Sequence, residues 1–390
     1  MKNSIIKIIV LILLLNPIVG SACSMYKITR NGKTIVGNNE DWLSPNSKFW
    51  FETGTEGNYG VMYMGQLDNF AQGAINDAGL VFDGFANPDL PINNATGKIE
   101  IPIGDAIKNI MQTMSTAEEV KLYLETINLS SLESSQIVFV DTTGTYLIVE
   151  GDALIIGEEE EKAFSNFYYS QIESEEDVEL ENFKQGMEFL KTSKGDASIS
   201  YCGDVMQSMS SEGLFGTQYS TVYDLNTLTV RVYLFHDYSQ FVDIDLKEQL
   251  EKDNHAIMIA DLFSKNSKGH QHYAKYNDEE NPQRFLSELV ATSLNATESE
   301  FVEMGLNGIV NMVGYEWLKQ KNNPEAAIKV FKFGIELTPS DADLHDSLGE
   351  AYFENKNYAL SKLSYEKSLA LNPNNKNAKT FLAKIETKKF

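Results

Sequence analysis

The hydrophobic and polar positions of the first 245 residues alternate in short runs that predict β-strands. Two such runs flank the Asn31-Gly32 pair, and Asn-Gly between alternating runs is a strong signal for a β-hairpin. A closing hairpin is predicted around Leu225-Asn226, joining residues 217–224 to residues 229–235. Further strand-like segments lie at residues 49–53, 60–64, 74–85, 136–140 and 146–150.

Between these strands the apolar residues recur at helical spacing. The pattern predicts helices over residues 103–114, 116–126 and 180–192. Ser115 is the predicted N-cap of the second helix, because Glu118 follows three residues later. Strands, then helices, then strands indicate a layered α+β domain that extends from residue 23 to about residue 245.

The pattern changes after residue 245 and becomes helical. Residues 246–305 are predicted to form a helical and polar connector, in which the polar stretch 264–283 holds His270 and His272. No acidic residue or cysteine lies at metal-ligand spacing from these histidines, so the stretch is predicted to be a solvated loop.

The last part of the chain, residues 306–390, repeats with a period of 34 residues. Pro339 and Pro373 are 34 residues apart, and an L-G-x-x-Y run begins at Leu348. This pattern resembles tetratricopeptide repeats and predicts an all-α domain of two units with a terminal helix over residues 376–388. Such repeats bind peptides or partner proteins, and a purely structural capping role is the alternative.

Charge and cysteine count narrow the classes of function. The 390 residues include 32 basic and 56 acidic side chains, a net charge of −24, which argues against a nucleic-acid partner and against adsorption to anionic membranes. Two cysteines are too few for a disulfide scaffold or a cysteine-based zinc site. The role of each cysteine therefore becomes the central question.

The amino end has the pattern of a secretory signal over residues 1–22: a basic start, a short apolar run, and Gly20-Ser21-Ala22 before the cut. Cleavage after Ala22 makes Cys23 the first residue of an exported protein, periplasmic or secreted. Two alternatives are a retained membrane anchor and a lipoprotein in which Cys23 is acylated. Lipoprotein signals prefer a branched aliphatic residue where Gly20 stands. The protein is expected to contact a membrane only if Cys23 is lipidated.

An N-terminal cysteine carries a nucleophile and a base on one residue. Its thiol is weak until it is deprotonated, and an α-amine with a pKa near 7.7–8.0 is a suitable base at neutral pH. The amine needs an orienting carboxylate or carbonyl, and a tetrahedral intermediate needs donors aimed at its oxyanion. Asp41 lies 18 residues after Cys23, at the end of the hairpin's return strand, where antiparallel pairing can bring it back beside Cys23.

Three segments carry a resemblance to a known family. Cys23 after a signal, then G-N-N-E-D-W at residues 37–42 and I-N-D-A-G-L at residues 75–80, resembles the choloylglycine hydrolase and penicillin V acylase family. The likeness runs from Cys23 to about Asp245 and includes the strand that ends in I-V-E at residues 148–150. It implies a four-layer αββα domain of the N-terminal nucleophile hydrolase superfamily, acting on linear amides without a cofactor or metal.

The resemblance also assigns roles to residues. Cys23 matches the nucleophile and Asp41 the acid that holds its α-amine. Asn166 matches the asparagine whose side-chain amide lines the oxyanion hole. The second oxyanion donor of the family falls on Ala86 or Asn87, most plausibly through a backbone N–H, and the sequence does not choose between them. Cys202 is predicted to be a small buried residue.

Two positions depart from the family. Asn38 stands where its members carry an arginine, and residues 218–223 lack the family's late arginine. Without these cations a small-molecule N-acyl amide other than a bile salt or a penicillin is the expected substrate. Hydrolysis and acyl transfer both remain open. The alternative from another class is a lipid-anchored, non-catalytic binding protein that acts through its repeats.

Overall fold

The computed structural model describes residues 23–93, 95–212, 215–277, 297–303 and 305–387. The predicted signal peptide of residues 1–22 lies outside them. The chain divides into two compact units, one formed by Gly20–Ala274 and the other containing Lys275–Phe390. None of the helices within the described ranges is both long and apolar enough to cross a membrane.

Two antiparallel sheets form the first unit. The first sheet has the spatial order β10 (Glu161–Ser165), β1 (Ser24–Arg30), β2 (Lys33–Asp41), β11 (Thr217–Asp224), β12 (Thr229–Leu234) and β13 (Asp237–Asp245). The second has the order β14 (His255–Met258), β3 (Ser47–Glu52), β4 (Val61–Gln66), β5 (Ala71–Asn76), β6 (Val81–Ala86), β7 (Ser135–Val140), β8 (Tyr146–Glu150) and β9 (Ala153–Gly157).

The alternation of side chains along each strand builds the layers of this unit. On β4, Met62 and Met64 enter the core between the two sheets, whereas Val61 and Tyr63 face a helical layer on the other side. That layer consists of α1 (Ile103–Thr113) and α2 (Ala117–Leu124). On the outer face of the first sheet, α3 (Glu181–Thr192) and α4 (Ile199–Ser208) pack in the same way. The predicted four-layer αββα architecture is therefore confirmed.

The predicted capping of α2 is wrong by one residue. Thr116, not Ser115, is the N-cap, and its hydroxyl accepts from the N–H of Glu119 at 3.2 Å. The Glu119 carboxylate in turn accepts from the N–H groups of Ser115 and Thr116. Ser115 with Glu118 and Thr116 with Glu119 both have the spacing of a capping box. The N-cap is the residue with an extended backbone at the start of the helix, and that residue is Thr116.

The structure also differs from the sequence patterns beyond Asp245. The strand β14 pairs with β3, so the second sheet gains a strand from the segment expected to be a helical connector. Part of the polar stretch predicted to be a loop forms a helix, α6 (Lys268–Tyr276), after the short helix α5 (Leu246–Leu250). Short 3-10 segments lie at Ser130–Leu132, Tyr169–Gln171, Glu175–Asp177 and Ile259–Leu262.

The second unit is helical. Its elements are α7 (Glu298–Glu303), α8 (Leu306–Tyr315) with a π-helical turn at Glu316–Gln320, α9 (Pro324–Leu337), α10 (Ala342–Glu354), α11 (Tyr358–Leu371) and α12 (Lys376–Thr387). Equivalent glycines let the helices of each pair approach: a Cβ at Gly314 would meet Phe331, and one at Gly349 would meet Tyr365. The same close approach of a glycine to an aromatic ring therefore recurs in both helix pairs.

Candidate active site

Strand register determines which residues surround Cys23. Cys23 immediately precedes β1, in which Ser24 pairs with Asn39 on one side and with Ser165 on the other. Continuing both antiparallel ladders by one residue sets Cys23 opposite Glu40 and Asn166. The Ser165 hydroxyl donates to the Cys23 carbonyl at 2.7 Å and fixes this end of the strand.

The Cys23 thiol contacts the end of β2. Its Sγ lies 3.9 Å from Glu40 Oε2 and 3.7 Å from the carbonyl oxygen of Asp41, and it accepts from the Asp41 N–H at 3.4 Å. Both backbone polar groups of Asp41 therefore hold the sulfur, and the Glu40 carboxyl contacts it as well. Sequence reasoning did not identify Glu40.

The Asp41 side chain is buried and oriented by β11. Its Oδ1 accepts from the Thr217 hydroxyl at 2.6 Å, and Thr217 pairs with Asp41 across the strands. The predicted role of this carboxylate, to hold the α-amine of Cys23, stays a prediction because residues 1–22 lie outside the described chain. The structure shows that Thr217 holds the Asp41 carboxylate in place, on the same residue whose backbone contacts the Cys23 thiol.

A second acidic side chain reaches the site from the other sheet. Asp83, in the middle of β6, hydrogen-bonds the carboxyl of Glu40, and the two are 2% and 1% exposed. The Asn38 amide donates to Glu40 Oε1 at 3.2 Å, and the Gly84 N–H donates to Asp83 Oδ1 at 3.1 Å. Asn38 is itself oriented by the hydroxyls of Thr221 and Tyr223, which donate to its Oδ1.

Burial dominates the electrostatics of this cluster. It raises the pKa of the Cys23 thiol well above its ordinary value, and the nearby carboxyls of Glu40, Asp41 and Asp83 raise it further. Burial also raises the pKa of Glu40 to about 7 and that of Asp83 well above the usual carboxyl range. The thiol is therefore held neutral until a base removes its proton.

Asn166 bridges the two sheets beside Cys23. It directly follows β10, and its side-chain amide donates to the Ala86 carbonyl, at the end of β6, at 2.6 Å. The Asn166 Oδ1 is buried and has no hydrogen-bond partner among the described residues. The sequence-predicted residues Cys23, Asn166 and Ala86 thus lie together at one edge of the layered unit.

The two candidates for the second oxyanion donor differ in their hydrogen bonds. The Asn87 N–H donates to the Ser134 carbonyl at 3.0 Å and is therefore committed to the sheet. The Asn87 side chain is buried, and neither its Nδ2 nor its Oδ1 has a partner within the part of the chain that the structure describes. Of the two backbone N–H groups the geometry favours that of Ala86, whereas Asn87 can contribute only through its side-chain amide.

The loop that carries Asn166 is held by one buried carboxylate. Glu150, at the end of β8, accepts from the N–H groups of Tyr169 and Ser170 and from the Gln136 amide. Gln136 uses its other N–H to hold the Phe167 carbonyl at 2.9 Å. These bonds fix the backbone of the residues directly after Asn166, at Phe167, Tyr169 and Ser170.

Two signals in the sequence could have identified the missed carboxyls. Along β2, alternation puts Glu40 on the same face as Asn38 and opposite Asp41. Asp83 is a lone acid inside the apolar run V-F-D-G-F, a position at which a strand facing a core would carry an apolar residue. Neither signal shows that the two side chains meet, because they belong to different sheets.

The remaining predicted residues lie outside this cluster. Cys202, on α4, is fully buried among apolar side chains as expected, and burial raises the pKa of its thiol. The His270 ring contacts the Ala260 carbonyl and the His272 ring contacts Gln218. Within the described ranges, no group of three or more histidine, cysteine, aspartate and glutamate side chains is arranged to hold a metal ion.

One known protein family matches the helical part of the chain. Residues 342–375 match the tetratricopeptide repeat family model, which confirms the repeat prediction for α10 and α11. No curated protein matches the chain.

Two solved structures are similar to about three fifths of the chain. Penicillin V acylase from Agrobacterium tumefaciens aligns with a TM-score of 0.46 and 14% identity over 60% of this chain and 90% of its own. A mutant of conjugated bile acid hydrolase from Clostridium perfringens aligns with a TM-score of 0.45 and 15% identity over 61% of this chain and 96% of its own. At these low scores the functional argument depends on the site itself.

Proposed function

We propose that this chain is an exported amide hydrolase that cleaves the linear C–N bond of an N-acyl substrate through an acyl intermediate on Cys23. The observation that carries the proposal is the strand register that sets Cys23 opposite Asn166, whose side-chain amide donates to the Ala86 carbonyl at the end of β6. Signal cleavage after Ala22 would give Cys23 a free α-amine and so complete the site.

The proposed reaction begins with transfer of the thiol proton to the α-amine of Cys23. The Sγ atom attacks the amide carbon, and the oxyanion accepts from Asn166 Nδ2 and from a donor at Ala86 or Asn87. The protonated amine then passes its proton to the leaving nitrogen as the C–N bond breaks. Water attacks the thioester, the carboxylic acid leaves, and the thiol regains a proton.

The immobilised Asp41 carboxylate suits a role in holding the protonated α-amine, since Thr217 fixes its orientation. Asn38 stands where the resembled family carries an arginine, and residues 218–223 contain none, which argues for a neutral or cationic substrate near the scissile bond. An N-acyl amine without a carboxylate beside the amide fits this better than a bile salt or a penicillin.

Substitution of the nucleophile tests this proposal. Cys23→Ala should abolish hydrolysis of a panel of N-acyl amines, and Cys23→Ser should retain the fold while losing most of the rate, since a hydroxyl is harder to deprotonate than a thiol. Cys202→Ala is the matched control, because it removes the other cysteine far from the proposed chemistry. Unchanged turnover by Cys23→Ala would refute the assignment, and amide formation in the presence of an amine acceptor would indicate acyl transfer.

A further inference from the structure

The carboxyls of Glu40 and Asp83 form a buried contact between the two sheets, beside the Cys23 thiol. They hydrogen-bond each other, although two ionised carboxylates offer no hydrogen for such a bond. Asp83 Oδ2 is buried with no N–H or O–H donor among the described residues, and Glu40 Oε2 faces the thiol at 3.9 Å. A hydrogen is therefore missing from the contact unless one carboxyl is protonated.

The described groups around the contact supply no compensating cation. The titratable side chains that face it are Cys23 from the start of β1, Asp41 from β2, and Tyr219 and Tyr223 from β11. Asn38 donates an N–H to Glu40, and the Gly84 N–H donates to Asp83 Oδ1, but neither donor carries a charge. Two buried negative charges in hydrogen-bond contact repel strongly, so one proton is the simplest way to neutralise them.

We propose that Glu40 and Asp83 share one proton, and that this acid pair is a positioning element for the Cys23 nucleophile. Glu40 Oε2 contacts the Cys23 thiol directly, so the charge on the pair affects how readily the thiol loses its proton. Its role in positioning rests on the proposed function, whereas the sharing of a proton does not.

The pair couples the reactivity of the thiol to pH. Below pH 7 both carboxyls carry a proton; as the pH rises through about 7, Glu40 loses one, the proton that remains is the shared one, and the pair places a negative charge against Cys23. That charge raises the pKa of the thiol, so the thiolate fraction grows more slowly than it would beside a neutral group. Exposure of the α-amine by cleavage would add a cation close to the pair and weaken this effect.

Infrared spectroscopy of the full chain tests the shared proton without reference to activity. At pH 8 ordinary carboxyls are ionised, so the carboxylic acid C=O band should correspond to about one group per chain. The band should disappear in Asp83→Asn and in Glu40→Gln. It should persist in Asp141→Asn, whose carboxylate is equally buried but accepts from the N–H groups of Ala117 and Thr143.

The absence of the band from the wild type at pH 8 would overturn the proposal, as would its persistence in both pair variants. Because the wild-type band can be titrated alone, the proposal stays testable if a variant fails to fold.

The alkylation rate of Cys23 by iodoacetamide tests the positioning role. Between pH 6 and pH 8 the wild-type rate should rise by less than the roughly tenfold per pH unit expected of an isolated thiol, and Glu40→Gln should restore that slope. In hydrolysis, Glu40→Gln should change the pH dependence of kcat between pH 6 and pH 8 in the same sense as the alkylation rate, with little change in KM. Equal alkylation slopes in both proteins would contradict the positioning role. A chain that shows the band and the slopes but cleaves no amide would refute the proposed function and leave the pair intact.

Discussion

At the scale of single residues, the site is recognisable where chemistry is tied to a position in a motif. Cys23, Asn166 and Ala86 were predicted from their segments, and the register of β1 with β2 and β10 brings them together. Glu40 and Asp83 were not predicted. Their place in the site depends on burial and on a contact between two sheets, and the local sequence does not show which side chains of different sheets meet.

The oxyanion role of Asn166 can be measured directly. Asn166→Ala removes the side-chain amide that lies beside Cys23, and we expect kcat to fall by about 10²–10³ with KM nearly unchanged, as is typical of the loss of one oxyanion donor. Asn166→Asp should be equally impaired, because it keeps the shape but loses the N–H donors. The exposed Asn58→Ala is the matched control. Full activity in Asn166→Ala would exclude the residue from the oxyanion hole.

At the scale of secondary-structure elements, patterns with strong local signals were predicted well. The Asn31-Gly32 hairpin and the closing hairpin have the predicted positions. The strand β13 was missed because much of its length is exposed and polar, and β14 because it has only four residues and no clear alternation. Their pairing is decided by tertiary contacts rather than by local propensity.

The loop after β10 depends on an element from the opposite sheet. Glu150→Gln replaces one of the acceptor oxygens with an amide NH₂, so buried N–H groups of Tyr169 or Ser170 lose their partner at a cost of about 1–3 kcal/mol. We expect a lower melting temperature and a lower kcat, because Asn166 is no longer held. The readout that separates this from general destabilisation is kcat well below the melting transition, with KM unchanged.

The exposed Glu158→Gln, from the turn before β10, is the control for charge removal near the same loop. A Glu150→Gln variant that is destabilised but keeps full kcat would show that the carboxylate holds the fold and not the site.

At the scale of the whole molecule, the sequence predicted a layered unit followed by helical repeats, and both are present. The boundary predicted near residue 245 precedes β14, and the first compact unit continues to Ala274. The predicted connector was read from helical spacing, which carries no information on whether a short strand docks on a distant sheet. The export signal and the free N-terminal cysteine remain predictions on which the proposed mechanism depends.

Mass spectrometry of the exported protein during turnover of a slow N-acyl substrate tests the central claim most directly. The account predicts a chain that begins at Cys23 with a free α-amine, and a transient mass increase equal to the acyl group, mapped to the Cys23 thiol and released by hydroxylamine. A diacylglyceryl Cys23, an uncleaved amino end, or an acyl adduct that persists in Cys23→Ala would contradict it.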